Sequence, residues 1–597
     1  MMNRTYKIGH SRDQASFLPP CLEDYVGRDN PVRAIDAYVD SLDLNDLGFR
    51  AVGSDGGAGQ PPYDPADLLK LYLYGYLHQV RSSRRLEHET RRNVELMWLL
   101  GGLTPGYRTI ANFRKDNAAG LKAANRDFVR LARSLDLLGG TLVAIDGAFF
   151  HGDASKASIA TEKRLQQQMA ALDRSIAEYN TALETNDKAE EAVAAAAAPG
   201  KSPPGEDIAQ KLAALRQRRA AVATDLATLV ESGDGQISRT DPDARLLAKH
   251  GQIVAGYNVQ IAVDDKHKLI VASAVVNEGN DTGQLAAMAE AAKAAVGAEA
   301  LSVVADAGYY NGATLKACED AAITAYVPPP DRRQRLKAQG RFSVEDFRYD
   351  TAADVYRCPA GAELRPMRGQ KRQASGKMAI RYATRRSVCR NCPLRGSCLA
   401  GKRERREIER WTDEAVIERH RARMRRTGED MMRRRKALAE HPFGTLKCRA
   451  GYRHFLVRGF DKVRGEWSLM ALCYNFSRVL RIIGLGPWLA LLAQRATTAL
   501  NRLVVALSRG YRRINRYVAA LRPASRNLSE CRGWGRDSAQ RYGVARPIFL
   551  PSLGAHSAIL QGNSLASDAA EHLAAHIHEP QCNLSPASKA ARRLARA

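Results

Sequence analysis

Two aspartates stand in matched contexts. Thr141-Leu-Val-Ala-Ile-Asp146 and Leu301-Ser-Val-Val-Ala-Asp306 are short apolar runs that end on an acid, each followed by a small residue, Gly147 or Ala307. Runs of this length read as buried strands. A carboxylate at the end of such a strand needs a partner, and two on neighbouring strands repel unless a cation lies between them. Magnesium, or manganese in its place, takes hard oxygen ligands and keeps positions open for phosphate and water. Two such ions about 3.5–4 Å apart clamp the attacking and leaving oxygens of an in-line displacement, the geometry that phosphodiester chemistry requires. A lone strand-ending Asp is as readily a turn former or a helix cap, so the weight lies in the repetition. A third acid should come from a helix after the last strand. Glu440, in Arg435-Lys-Ala-Leu-Ala-Glu-His-Pro-Phe-Gly-Thr-Leu-Lys447, is the best candidate, with Pro442 and Gly444 interrupting the helix beside it. Taken alone it reads as a salt-bridged surface residue among arginines.

The elements that must carry these acids follow from changes of period. Residues 17 to about 135 read as all-helical, with Asp64 capping a helix that starts at Pro65. Arg84, Arg85, Arg108 and Arg114 protrude from this region, which suits either a helix-turn-helix DNA reader or a plain bundle with a solvated face. After the first acid-bearing strand, Gly256 to Val263 and Lys268 to Val276 form a hairpin; a helix from Asp281 to Val296, the second acid-bearing strand, a helix from Gly312 to Ala321 and a strand from Ile323 to Val327 complete a mixed α/β sheet. Within it, Leu165, Met169, Leu172, Ile176, Tyr179 and Leu183 form one coiled-coil seam, and Ile208, Leu212, Leu215, Arg219, Val222, Leu226 and Leu229 a second; a Pro/Gly-rich reversal separates them, so a helical hairpin is expected over 155–235. Asp153 competes for the position of Asp146, and Asp241-Pro-Asp243 is either a site-lining segment or a turn.

The net charge of +27 points to a polyanionic partner, most commonly nucleic acid. Residues 365–400 hold ten Lys/Arg and no acid, Arg385, Arg386 and Arg390 among them. Cys358, Cys389, Cys392 and Cys398 lie in or beside this stretch and resemble a four-thiolate zinc ribbon, although the spacing from Cys392 to Cys398 is longer than usual; unliganded cysteines are the alternative. Met1 to His10 has no apolar core, and the apolar run near Ile482 to Ala493 is too short to cross a bilayer, so a cytoplasmic, nucleoid-associated protein with reduced cysteines and no membrane contact is expected.

Ile145-Asp-Gly147, Ala305-Asp-Ala-Gly-Tyr-Tyr310 and Glu440-His-Pro-Phe-Gly-Thr-Leu-Lys447 resemble the three acidic motifs of the DDE transposases of bacterial insertion sequences. The likeness runs over about residues 15–483 and is to a subgroup with a helical amino-terminal domain, a coiled insert and a cysteine-rich insert. It implies an α/β fold with a ribonuclease-H-like mixed-sheet core at 136–330 and 401–483, a helical DNA-end-binding domain at 1–135, the hairpin at 155–235, a zinc-ribbon-like insert at 340–400 and a basic, partly disordered tail at 484–597. It also implies catalysis by Asp146, Asp306 and Glu440 with magnesium or manganese, a structural zinc, DNA contacts through Lys447, Arg435 and Lys436 together with the arginines named above, and a homodimer. The reaction implied is hydrolysis that frees a 3′-OH at a transposon end, followed by attack of that hydroxyl on target DNA. Many relatives carry a Tyr-Arg-Glu-Lys signature around the third acid; here Arg433 and Lys436 stand at the first two positions, with Arg435 available as a substitute, and Lys447 matches the last. A metal-dependent nuclease that cuts without joining, and a catalytically inactive DNA-binding relative, remain the alternatives.

Overall fold

A computed structural model describes residues 21–50, 61–194, 205–249, 251–330, 336–372, 377–399, 401 and 403–495. The amino-terminal part is helical: α1 (Val32–Asp40), α2 (Pro65–Leu77), α3 (Ser83–Thr90), α4 (Val94–Leu99), α5 (Tyr107–Asp116) and α6 (Ala118–Ser134). Asp64 caps α2 by accepting from Ala66 N at 2.9 Å, and Pro65 fills the first helical position, where a missing N–H costs nothing. Helix α2 is buried on all sides from Asp67 to Tyr76. Its one buried cation, Lys70, is neutralised by Asp36 and Asp40 of α1, the latter at 2.7 Å.

Strand β1 (Leu142–His151) opens the main sheet. It does not stop at Asp146: pairing with the long antiparallel neighbour carries it on to His151, so Asp146 sits in mid-strand. The small pair β2 (Ile159–Thr161) and β3 (Gln236–Ser238) forms the base of the expected hairpin insert, whose arms are α7 (Glu162–Ala194) and α8 (Gly205–Ser232). Leu165, Val222 and Leu229 bury one another at its foot, with Met169, Leu172 and Leu226 packed around them. The reversal expected between the arms lies mainly outside the described residues. Strands β4 (Arg245–Lys249), β5 (Gln252–Asp264) and β6 (Ile270–Val276), helix α9 (Leu285–Val296), strand β7 (Leu301–Val304), helix α10 (Gly312–Asp320) and strand β8 (Ile323–Tyr326) complete this part. The sheet runs β4-β5-β1-β7-β8, with β6 against the other half of the same β5 edge. The strands β5 and β6 are antiparallel neighbours in the hairpin, β1 is antiparallel to β5, and β1, β7 and β8 are mutually parallel.

A second sheet follows, β9 (Arg348–Asp350), β10 (Val355–Arg357), β11 (Glu363–Arg372), β12 (Met378–Ala383) and β13 (Glu407–Trp411), ordered β13-β12-β11-β10-β9. It runs past residue 400, because β13 pairs with β12 before the chain returns to the main sheet. Between β12 and β13 lie the short helices α11 (Arg386–Arg390) and α12 (Arg395–Cys398). Helix α13 (Glu414–Gly444) then crosses the main sheet, and α14 (Phe460–Ile483) packs against α6, α2 and β6. Pro442 does not interrupt α13. It falls in the last turn, and the chain continues as a π-helical turn, Thr445–Arg449.

The start of the segment expected to be a basic tail is part of the core. Trp488 and Leu492, in the helix Leu485–Arg495, are buried, Trp488 against Tyr38, Phe128 and Phe476. Residues 496–597, including the basic helix expected near Leu500 to Leu521, lie outside the described residues. No single helix among the described residues is long and apolar enough to cross a membrane.

Candidate active site

Strand alternation decides which face each residue of β1 serves. Val143 and Ile145 enter the main core, while Leu142 and Ala144 join a smaller cluster with Val304 of β7 and Leu438 and Ala439 of α13. With a side-chain period of two, Asp146 therefore faces α13. Its neighbour β7 ends at Val304, and Asp306 begins the turn beyond, where its carboxylate accepts from Gly308 N at 2.8 Å. Because β1 and β7 run parallel, the two acids come out side by side.

One guanidinium joins them. Arg435 Nη2 of α13 lies 2.8 Å from Asp146 Oδ1 and 3.5 Å from Asp306 Oδ2. Arg435 is three and four residues before Leu438 and Ala439, so it shares their inward face. All three side chains are partly shielded, with 16%, 32% and 19% of the Asp146, Asp306 and Arg435 surfaces exposed. The two carboxylates thus converge on one positive group, and they offer only hard oxygen donors.

Glu440 is on the same helix but exposed, five residues past Arg435. Five residues turn a helix by about 140° from the starting face, and Glu440 instead shares a side with Lys436, four residues earlier. Among the described residues, no three His, Cys, Asp or Glu side chains are grouped closely enough to hold one metal ion. The structure brings Asp146 and Asp306 together and leaves Glu440 apart from them.

Lys447 is tied to the same strand as Asp146. Its Nζ donates to Phe149 O at 2.7 Å and stands 4.5 Å from the centre of the Phe150 ring. Lys436, Arg84, Arg85, Arg108, Arg385, Arg386 and Arg390 are exposed. Arg84 and Arg108 both lie over the Tyr107 ring. Arg114 is the correction. Expected on the DNA face, it is buried, its Nη1 3.2 Å from the Tyr76 hydroxyl and 3.4 Å from Oε1 of the fully buried Glu466 of α14. A cation placed inside needs a counter-charge there, and this pair fastens the helical domain to α14 rather than offering a head group to phosphate.

Asp153 pairs with Arg458 at 2.7 Å instead of competing with Asp146. The segment Asp241-Pro-Asp243 holds the start of α14: Asp241 Oδ1 accepts from Gly459 N at 2.9 Å and Asp243 Oδ2 from Phe460 N at 2.8 Å. Negative groups belong at a helix N-terminus, where backbone donors lack partners.

The four cysteines of the basic insert, at 358, 389, 392 and 398, line one cavity of about 220 Å³ with Arg395 and Arg406. Burial pushes the Cys398 thiol above its usual range; Arg406 opposes this, and the other three cysteines add to it.

Two residues of the neighbourhood carried no signal along the chain. Asp281 and Gln260 are buried beside Gly147, Gln260 Nε2 donating to Asp281 Oδ1 at 2.7 Å. In the sequence Asp281 reads only as a helix start.

Residues 20–116 match the family described as Transposase domain (DUF772), and residues 357–480 match the family described as Transposase DDE domain. The second span holds the cysteines, Arg435, Glu440 and Lys447; neither span reaches Asp146 or Asp306. No match to a curated protein or to a solved structure was found.

Proposed function

The two family matches support a DDE transposase, and on that basis we propose that the chain cuts the ends of a mobile DNA element and joins the freed 3′-OH to target DNA. The observation that carries this reading is the convergence of Asp146 and Asp306 on the single guanidinium of Arg435. Paired strand-borne carboxylates that share one cationic group are suited to share a divalent ion, and their oxygen-only chemistry fits magnesium or manganese. Bound there, such ions would supply Lewis-acid stabilisation of the attacking and leaving oxygens. Asp146 and Asp306 would hold the ions through oxygen. Glu440 is proposed as the third acid because its segment resembles the third acidic motif and falls in the span matched to the Transposase DDE domain, although its exposed side chain stands on another face of α13 from Arg435. Arg435, Lys436 and Lys447 are proposed to bind phosphates next to the cut, and the exposed arginines of the helical domain and of the cysteine-bearing insert to hold the flanking duplex.

The sheet supports a ribonuclease-H-like core: a three-stranded antiparallel half, β6-β5-β1, is continued by parallel β7 and β8. A structural zinc in the insert is proposed on the spacing of its four cysteines alone, since among the described residues no three of them are grouped closely enough to hold one ion; it is tested by metal content and by melting with and without a chelator, and no bound zinc with an unchanged melt would remove it. The reading extends to a homodimer acting on paired ends, checked by molar mass in solution.

The deciding experiment incubates the full chain with magnesium and labelled duplexes taken from DNA flanking the gene, with a plasmid as target. Cutting and joining, both lost in Asp306→Asn while DNA binding persists, is the expected result. Cutting without joining favours a nuclease on the same site. Cutting that survives both Asp146→Asn and Asp306→Asn overturns the assignment.

A further inference from the structure

We infer that Asp281 is a further acidic residue of the Asp146–Asp306 site, acting as a positioning residue that fixes the Asp306 turn and adds negative charge beside it. The inference rests on the reading of that site as a divalent-cation centre. Asp281 lies just before α9, on the side of the sheet opposite α13, and is 6% exposed. A buried carboxylate is retained only where donors or cations compensate it. Two amides of β5 do so here: Asn258 Nδ2 at 2.8 Å and Gln260 Nε2 at 2.7 Å, both to Oδ1.

Two glycines open the way from Asp281 to the site. Gly147 directly follows Asp146, and a Cβ there would stand 2.9 Å from Asp281 Oδ1. At Gly308, two residues past Asp306, a Cβ would lie 2.9 Å from Asp306 Oδ1 and 3.6 Å from Asp281 Oδ2. The carboxylates of 281 and 306 therefore flank one small gap that only a residue without a side chain leaves open. Oδ1 accepts from both amides, and Oδ2 is the oxygen nearer the Gly308 position.

The link to Asp306 is also mechanical. Gln260 donates to Asp281 through its nitrogen and accepts from the Tyr309 hydroxyl through its oxygen. Tyr309 is fully buried in the turn that Asp306 begins. Asp281, Gln260 and Tyr309 form a hydrogen-bonded chain that sets the turn, and so the angle at which Asp306 presents its oxygens. Asn258 Oδ1, beside Asp281, is buried and has no hydrogen-bond partner among the described residues, which marks this pocket as less than fully satisfied by them. Groups one step behind a metal ligand orient it, and their loss typically weakens metal binding about 10–100-fold.

The test titrates the full-length chain with manganese alone, read by calorimetry or by the spin resonance of free manganese, and measures DNA cutting in parallel. Asp281→Asn keeps the shape and removes the charge; manganese affinity is expected to fall about tenfold or more, with the magnesium needed for half-maximal cutting raised to match. Asp281→Glu restores the charge and should recover part of the affinity. Tyr309→Phe breaks only the hydroxyl link and should weaken manganese by a smaller factor, so it carries the test if Asp281→Asn does not fold. Manganese affinity and magnesium dependence unchanged in both Asp281→Asn and Tyr309→Phe overturn the inference. Asp146→Asn and Asp306→Asn in the same titration separate the two claims: if they lose manganese while the Asp281 and Tyr309 variants do not, only the role of Asp281 falls, and if they too bind as wild type, the cation-centre reading falls and takes this role with it.

Discussion

Arg435 and Asp146 are 289 residues apart in the chain and 2.8 Å apart in space, and the same guanidinium reaches Asp306. This contact balances two carboxylates that would otherwise repel. Arg435→Gln is expected to lower stability by about 1–3 kcal/mol. Divalent cation should then recover more of the melting temperature in the variant than in wild type, because the guanidinium that offsets the two charges is gone. Equal cation-induced shifts in the two proteins would show that the acids do not depend on a shared positive group.

DNA affinity should fall steeply with salt. If roughly five phosphates are neutralised, the logarithm of affinity falls with the logarithm of salt with a slope of about −4.5. Replacing Arg385, Arg386 and Arg390 by Ala together should flatten that slope by up to about 2.7. A slope that does not change would place the insert away from the duplex.

Arg114 and Glu466 make a different prediction from the exposed arginines. Glu466 also receives the Tyr76 hydroxyl at 2.7 Å and Leu456 N at 2.8 Å, so its removal strands several groups at once. Arg114→Ala should cost about 3–5 kcal/mol, as expected when a buried charge loses its partner. The DNA affinity of the molecules that remain folded should be unaltered. Denaturant unfolding and binding titrations separate the effects; a stable variant with weakened DNA binding would contradict the structural role.

His420 links stability to acid. Burial, reinforced by Arg423 and then Arg421, lowers its pKa from 6.5 to about 4. The neutral ring accepts from Val327 N at 3.3 Å. An unfolded chain takes up this proton near pH 6.5, whereas the folded one resists it until about pH 4. The stabilisation is therefore present above pH 6.5 and is lost as pH falls toward 4. The loss attributable to this side chain is at most about 3 kcal/mol. Denaturation midpoints over that range should show a shallower acid slope in His420→Gln; the same slope would assign the acid sensitivity elsewhere.

Much of the architecture was written along the chain. The strand around Asp146, the β5–β6 hairpin, helices α9 and α10 and strands β7 and β8 follow from local apolar period and turn residues, which need no long-range information. The same holds for the seams of α7 and α8 and for the Asp64–Pro65 start of α2. The pairing of Asp146 with Asp306 was also legible, because two parallel strands carrying an acid at the same level must place those acids together.

What the fold alone decided concerns contacts between distant segments. Arg114 looked like its exposed neighbours, yet the docking of α14 turned it inward, and no local pattern marks a residue for burial against another 352 positions away. Asp281 had no motif; it joins the site only because two glycines remove the side chains that would block it. Glu440 was placed by motif, whereas its direction depends on helix phase relative to the sheet, which the packing of Leu438 and Ala439 sets. Sequence period fixes which face of an element is apolar, but the choice of partner for that face is made by the simultaneous packing of every other element, and that choice exists only in three dimensions.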